Sequence, residues 1–240
     1  MARERIPLWL KISWTAWLLV WAPFYWHHYG PQNFLWFCDI SNIVIGVALW
    51  LESPLLFSTQ ALSMGIVQTL YALDFSWRLA LGSHLTGGTE YMFDPARPLH
   101  IRALSLFHLA IPPLLVWAVA RLGYDRRALP IQSIVAWVIL PVSLSFGSVK
   151  DVNWVYGPYE KLQAWTSMGM WFAICMIGFP LVLYLPTHLA LSRWAPVPSG
   201  GVGDRSSRTS AEAPDRPVGE VEGQQEEGDA EPEVDSVALH

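Results

Sequence analysis

The sequence predicts an all-α fold: a polytopic membrane helix bundle with six predicted transmembrane helices, followed by a disordered acidic tail. Three observations predict it. Half of the 240 residues are hydrophobic and tryptophan is abundant, a more apolar composition than a soluble chain of this length needs. Several segments approach the ~20 apolar residues that cross a bilayer core of ~30 Å. The last part of the chain changes character, with Gly, Pro, Ser and acidic residues replacing the apolar runs.

The first span is read as Leu8–Trp26. The start, Met1-Ala2-Arg3-Glu4-Arg5, resembles the basic end of a signal peptide. The apolar stretch after it is too long, however, and Trp21-Ala22-Pro23-Phe24-Tyr25-Trp26 offers no small-residue cleavage site. It is expected to stay as a helix. The second span is Asn33–Leu51, the third Pro54–Phe75 and the fourth Ala103–Leu122, the last two being the clearest. The fifth, Leu129–Phe146, is short and interrupted by proline, and the sixth is Met168–Leu191. Residues 1–194 therefore form one membrane domain.

Residues 195–240 carry no aromatic side chain and only scattered Val and Leu. Such a segment buries too little apolar area to offset the entropy of ordering it, so disorder is expected. Its carboxylates outnumber Arg205, Arg208 and Arg216 several-fold, so the net charge of −5 comes from the tail. The domain itself is mildly basic, and nothing suggests nucleic-acid binding. The expected partners are membrane lipids, no cofactor is implied, and the oligomeric state is left open.

Orientation follows from lysine and arginine near the span ends. Six spans put Arg3, Arg5, Lys11, Arg121, Arg126, Arg127 and Arg193 on one side. Arg78, Arg97, Arg102, Lys150 and Lys161 fall on the other. The compact Arg121–Arg127 loop is the strongest element, which predicts a multi-pass cell-membrane protein with both termini cytoplasmic. The two cysteines, Cys38 and Cys175, lie inside spans, and no disulfide framework is indicated.

The outer side holds the unusual residues: His27-His28-Tyr29-Gly30-Pro31-Gln32-Asn33, then the loop from Asp74 to Arg102, then Asp151-Val152-Asn153-Trp154. Loops carry function more often than cores, although Trp, Tyr and Pro also anchor a headgroup interface. Depth sharpens the argument. Asp39 lies six residues after Asn33, roughly 9 Å deep at 1.5 Å per residue. His108 is six residues past Arg102, and Gln68 six before Asp74. Cys38, Asp39, Gln68 and His108 are thus expected in one shallow layer under the outer interface.

Helical spacing adds Asn42 to the face of Cys38 and Asp39, and groups Ser105, His108 and Pro112. Pro112-Pro113 is expected to kink the fourth span. Asp74 and Arg78 are spaced for an i,i+4 ion pair. An intramembrane carboxylate costs about 2.5–3.5 kcal/mol or more, so Asp39 needs a reason. The plain one is a salt bridge to Arg102 or Arg78. The plain readings of the others are packing for Cys38 and interhelical hydrogen bonding for Asn42, Gln68 and His108.

Several of these motifs resemble a known group. Phe37-Cys38-Asp39, Gly65-Ile66-Val67-Gln68-Thr69-Leu70 ending at Asp74, Phe107-His108 and Asn153-Trp154 together look like the six-helix integral membrane family of bacterial YwaF-like proteins and eukaryotic ether-phospholipid acyltransferases. The resemblance covers about residues 33–188. In that family a Cys and a His are implicated in acyl transfer, which carries over to Cys38 and His108. The loop from Asp74 to Arg102 is longer than the family pattern.

Three function classes remain open. The first is a lipid acyltransferase or acyl hydrolase, with Cys38 as nucleophile and His108 as base, and with Asp39 in the catalytic site but not as a direct third member. Asp39 points about 100° away from its neighbour on a helix, so it is cast as a hydrogen-bond orienter elsewhere in the site. Asn42, Gln68 and Asn153 are the substrate or oxyanion candidates. The second is a metal-dependent hydrolase built on His27, His28, His84, Glu90, Asp94, His100 and His108, but no His-Glu-x-x-His or similar spacing supports it. The third is a non-enzymatic scaffold or transporter component whose polar layer is helix glue.

Overall fold

The computed structural model describes residues 6–157 and 166–198. Arg3, Arg5 and Lys161, which entered the orientation argument, lie outside them, as does the tail from 199 onward. Among the described residues the regular structure is helical and no strand occurs.

Six helical stretches stand where six were expected. They are α1 (Leu8–Tyr29), α2 (Phe37–Leu51), α3 (Pro54–Leu81), the pair α4 (Leu99–Leu104) and α5 (Phe107–Leu122), α6 (Ala128–Leu144), and α8 (Met168–Gly178) continuing into α9 (Leu185–Trp194). A single turn, α7 (Gly147–Lys150), follows α6, and a π-helical turn, Phe179–Tyr184, joins α8 to α9. Two of the stretches, Leu99–Leu122 and Met168–Trp194, are long and apolar enough to cross a bilayer. The expectation of six is therefore met by two on that criterion. α2 and α6 have 15 and 17 residues, and α1 and α3 dilute their apolar runs with Lys11 and with Ser58, Thr59, Gln60, Ser63, Gln68 and Asp74.

α3 is polar because it is the centre of the bundle. It packs against α2, α5 and α6, and every residue from Phe57 to Met64 is buried. Its hydroxyls are satisfied within the helix: Ser58 Oγ donates to the Pro54 carbonyl at 2.7 Å and Thr59 Oγ1 to that of Leu56 at 2.8 Å. Ser53 caps the start by accepting from the Leu56 N–H, with Pro54 at the first helical position. Gly82 ends the helix at φ 74, a left-handed value that glycine adopts without steric cost.

Prolines shape the other helices. α5 runs without interruption through Pro112 and Pro113, where a kink was expected, and the fourth stretch is broken earlier, at Ser105 and Leu106. Pro180 has no N–H for the carbonyl of Met176, and the Trp137 indole donates to that carbonyl at 2.8 Å, tying α6 to α8.

The end opposite the cavity described below is cross-braced. Lys11 on α1 reaches Glu52 at 2.9 Å, and Glu52 also accepts from the Ile6 N–H. Tyr124 bonds His188 at 2.8 Å, and its N–H donates to the Pro196 carbonyl at 2.9 Å. The chain around Pro196 thus packs on the Gly123–Tyr124 turn.

Candidate functional site

The 3₁₀ turn Pro31–Leu35 leads into α2, whose first turn carries Cys38 and Asp39. The N-cap Trp36 supplies no side-chain bond, and the cap comes from across the molecule. Asn153, held at φ 58, accepts the Phe37 N–H at 3.0 Å and donates to the Leu35 carbonyl at 2.8 Å and to Ser143 Oγ at 3.0 Å. Both amide protons are then committed. Asn153 braces the cysteine-bearing turn, and the role expected of it, donating to an oxyanion, gives way to that of a positioning residue.

Cys38, Asp39, Gln68, His108 and Asn153 line one cavity of about 770 Å³. Asn42 does not. It is fully buried deeper on α2, and its amide oxygen and nitrogen have no hydrogen-bond partner among the described residues. It is therefore no substrate contact in this arrangement.

The Asp39 carboxylate is 2% exposed and makes no ion pair among the described residues. One oxygen accepts from Asn33 Nδ2 at 2.6 Å, and the other lies 3.8 Å from Cys38 Sγ. The two arginines expected to pair with it are elsewhere: Arg102 donates to the Met92 carbonyl, and Arg78 lies over the Phe93 ring. The neighbour relation is also closer than the helical angle implied, because the Asp39 side chain folds back to the thiol. A carboxylate in the first turn of a helix does interact favourably with the exposed N–H groups, which gives Asp39 a local reason to sit there.

His108 occupies the start of α5, beside the Ser105–Leu106 break. Its Nδ1 is 2.7 Å from the Ser105 carbonyl. A carbonyl only accepts, so Nδ1 carries the proton, and the neutral ring keeps its lone pair on Nε2. The ring stacks on Tyr71, with centroids 4.4 Å apart. No hydrogen bond joins His108 to Cys38 among the described residues. The two line the same cavity.

Four hydroxyls line the same cavity, three of them tyrosines to which sequence reasoning gave no part in the site, the fourth Ser105, which it placed on the stripe of His108 without a role. Tyr25 and Ser105 are bonded at 2.6 Å, and Tyr71 and Tyr91 at 2.8 Å. In the first pair the Ser105 hydroxyl also donates to the Ile101 carbonyl at 3.4 Å, which leaves Tyr25 to donate to Ser105; in the second, one tyrosine donates to the other. Besides Ser105, Tyr71, three residues after Gln68 on α3, carried a spacing signal.

Asp74 does not pair with Arg78. Its buried carboxylate accepts from the backbone N–H groups of Thr86 (2.5 Å), Gly87 (3.2 Å) and Thr89 (3.0 Å), from the Thr89 hydroxyl, and it meets His84 Nδ1 at 3.3 Å. This side chain folds the outer loop over the end of α3. No group of three or more His, Cys, Asp and Glu side chains suited to a metal ion occurs among the described residues, so the ligands imagined for a metal hydrolase are not gathered here. Compared with family models, with curated proteins and with solved structures, the chain finds no match.

Proposed function

We propose that the chain is a multi-pass membrane protein that transfers or hydrolyses acyl groups of lipids, with Cys38 as nucleophile. The observation that carries this reading is the shared cavity: a thiol, a carboxylate and an imidazole with a free Nε2 line a space large enough for a lipid segment. In the reaction Cys38 Sγ attacks the ester carbonyl as its proton passes to His108 Nε2 or to Asp39. The ester C–O bond then breaks and the alcohol leaves with that proton, and water or an acceptor hydroxyl displaces the thiol from the thioester, returning a proton to Cys38 Sγ. The Tyr71–Tyr91 pair, or Gln68 Nε2, donates to the developing oxyanion. Closure of Cys38 towards His108 accompanies substrate entry, as catalytic hydrogen bonds often tighten only in the complex. The resemblance to YwaF-like proteins and ether-phospholipid acyltransferases supports the same assignment.

The membrane reading rests on the stretch Met168–Trp194, of whose most apolar window only 11% is buried. Exposed Leu19, Leu79, Val116 and Val182 add to that surface. A helix that is apolar all round and exposed to this degree belongs in lipid or against a partner. All six helical stretches then cross, with α2 and α6 as short spans and both termini cytoplasmic. A cysteine introduced at Gly87 should label from the extracytoplasmic side; labelling solely from the cytoplasm inverts the topology.

A lipid-tailed chloroacetamide probe tests the chemistry. It should capture Cys38, and His108→Ala should suppress capture while the protein stays folded, because a thiolate forms readily only beside a base. Cys175, buried in α8 without a hydrogen bond among the described residues, is the internal control. Equal labelling of both cysteines, unaffected by His108→Ala, would leave a scaffold with a polar packing layer.

A further inference from the structure

Around Asp39 the cavity offers acceptors with nothing to accept from. Asp39 is 2% exposed and no cation pairs with it among the described residues, Asn33 being a neutral donor. Gln68, 1% exposed, turns its Nε2 towards Met64 Sδ at 3.9 Å and leaves Oε1 without a partner. His108, fixed by the Ser105 carbonyl, keeps the Nε2 lone pair in its neutral form. All three side chains line the same space, together with the rings of Phe37, Tyr71 and Tyr91. The cations that also line it do not neutralise Asp39: Arg97 lies 3.6 Å from Asp94 and over the Tyr91 ring, and Lys150 is exposed and forms no ion pair with Asp39.

A carboxylate buried with no counter-charge costs several kcal/mol, and a ligand that brings the charge removes that cost. A group with several N–H donors and a positive charge satisfies every acceptor at once, and aromatic faces stabilise it further. We propose that this cavity recognises the primary ammonium group of an amphiphile, held by the Asp39 carboxylate, with Gln68 Oε1 and His108 Nε2 as further acceptors. The inference rests on the cavity as a ligand site, not on the chemistry of Cys38.

The test uses the full chain in zwitterion-free nanodiscs and three probes of one chain length: octylammonium, octyltrimethylammonium and 1-octanol. Binding is read by calorimetry and by protection of Cys38 from the chloroacetamide probe. Octylammonium should bind at least about tenfold more tightly than octanol, since charge-assisted bonds are roughly twice as strong as neutral ones. It should also outbind the quaternary probe, which has no N–H. Asp39→Asn should erase the preference over octanol, and Gln68→Leu should reduce it. The wild-type probe ranking stands even if a variant misfolds. Octanol binding as tightly as octylammonium, or an undiminished preference in folded Asp39→Asn, overturns the assignment. The wild type separates the two readings: ammonium selectivity without His108-dependent labelling of Cys38 defeats the acyl reading alone, and labelling without selectivity defeats this one. Cys38→Ser, which the probe cannot capture, should keep the selectivity.

Discussion

Asp39 and Asp74 are both buried aspartates on helices that meet at the same end of the bundle, and their surroundings differ. Asp74 is fully enclosed and receives three backbone N–H groups, a hydroxyl and an imidazole. Asp39 receives one amide and the weak donor of a neighbouring thiol, and it faces a cavity. A carboxylate saturated by its own loop holds structure and has nothing left for a ligand. A carboxylate with spare acceptor positions and no cation is maintained at a cost to stability, the usual signature of a functional site.

The largest expected effect breaks that comparison most directly. Asp74→Ala strands three backbone donors under the loop and should cost about 3 kcal/mol or more, read as a large fall in melting temperature in nanodiscs. Asp39→Asn keeps an acceptor for Asn33 and removes a buried charge, so its cost should stay within about 1 kcal/mol while ligand selectivity is lost. If Asp39→Asn destabilises as much as Asp74→Ala, the two residues are equivalent structural anchors and the cavity loses its special status.

How far this end of the molecule can be read from sequence depends on range. The common layer of Cys38, Asp39, Gln68 and His108 follows from counting residues along helices that start and stop near polar markers, and helix existence is what apolar runs encode best. Pairings were harder. The i,i+4 rule offered Arg78 to Asp74, but the chain reverses at Gly82 and brings Thr86 to Thr89 back over the helix end, which no periodicity within α3 contains. Asn153 meets Phe37 from 116 residues away. Its contribution is geometric, fixed by a left-handed backbone and by the position of α6, so nothing in its immediate sequence separates a brace from an oxyanion donor. The centrality of α3 was likewise hidden, because a helix surrounded by protein tolerates the polar residues that disqualify it as an apolar span.

A middle-sized effect sharpens the contrast between touching a ligand and holding a residue that does. Asn153→Ala frees the Phe37 N–H, the Leu35 carbonyl and Ser143 at once and should cost about 2 kcal/mol. Folded Asn153→Ala should label more slowly at Cys38, because the first turn of α2 is less fixed, yet retain preference for an ammonium probe over its neutral analogue. Loss of that preference together with full stability would return Asn153 to the ligand contacts.

The smallest effect comes from the opposite end, in an ion pair whose cation is exposed. In the α5–α6 turn, the hydrogen bond from the Arg127 side chain holds the Asp125 carboxyl below its usual range, against the opposing effect of partial burial. A carboxyl lowered in the folded state contributes stability that is present above its unfolded value and is lost as pH falls through its folded one. Arg127→Gln should therefore lower stability slightly at neutral pH and not at all once the carboxyl is protonated in both proteins. The difference should also shrink in high salt, because the Arg127 side chain is 74% exposed and such pairs are screened. Melting temperatures of the two proteins at neutral and strongly acidic pH, each at low and high salt, read this directly. A gap that persists at acid pH would mean that the Arg127 side chain acts through packing on the turn, and the two ends of the bundle would then differ less in kind than their charges suggest.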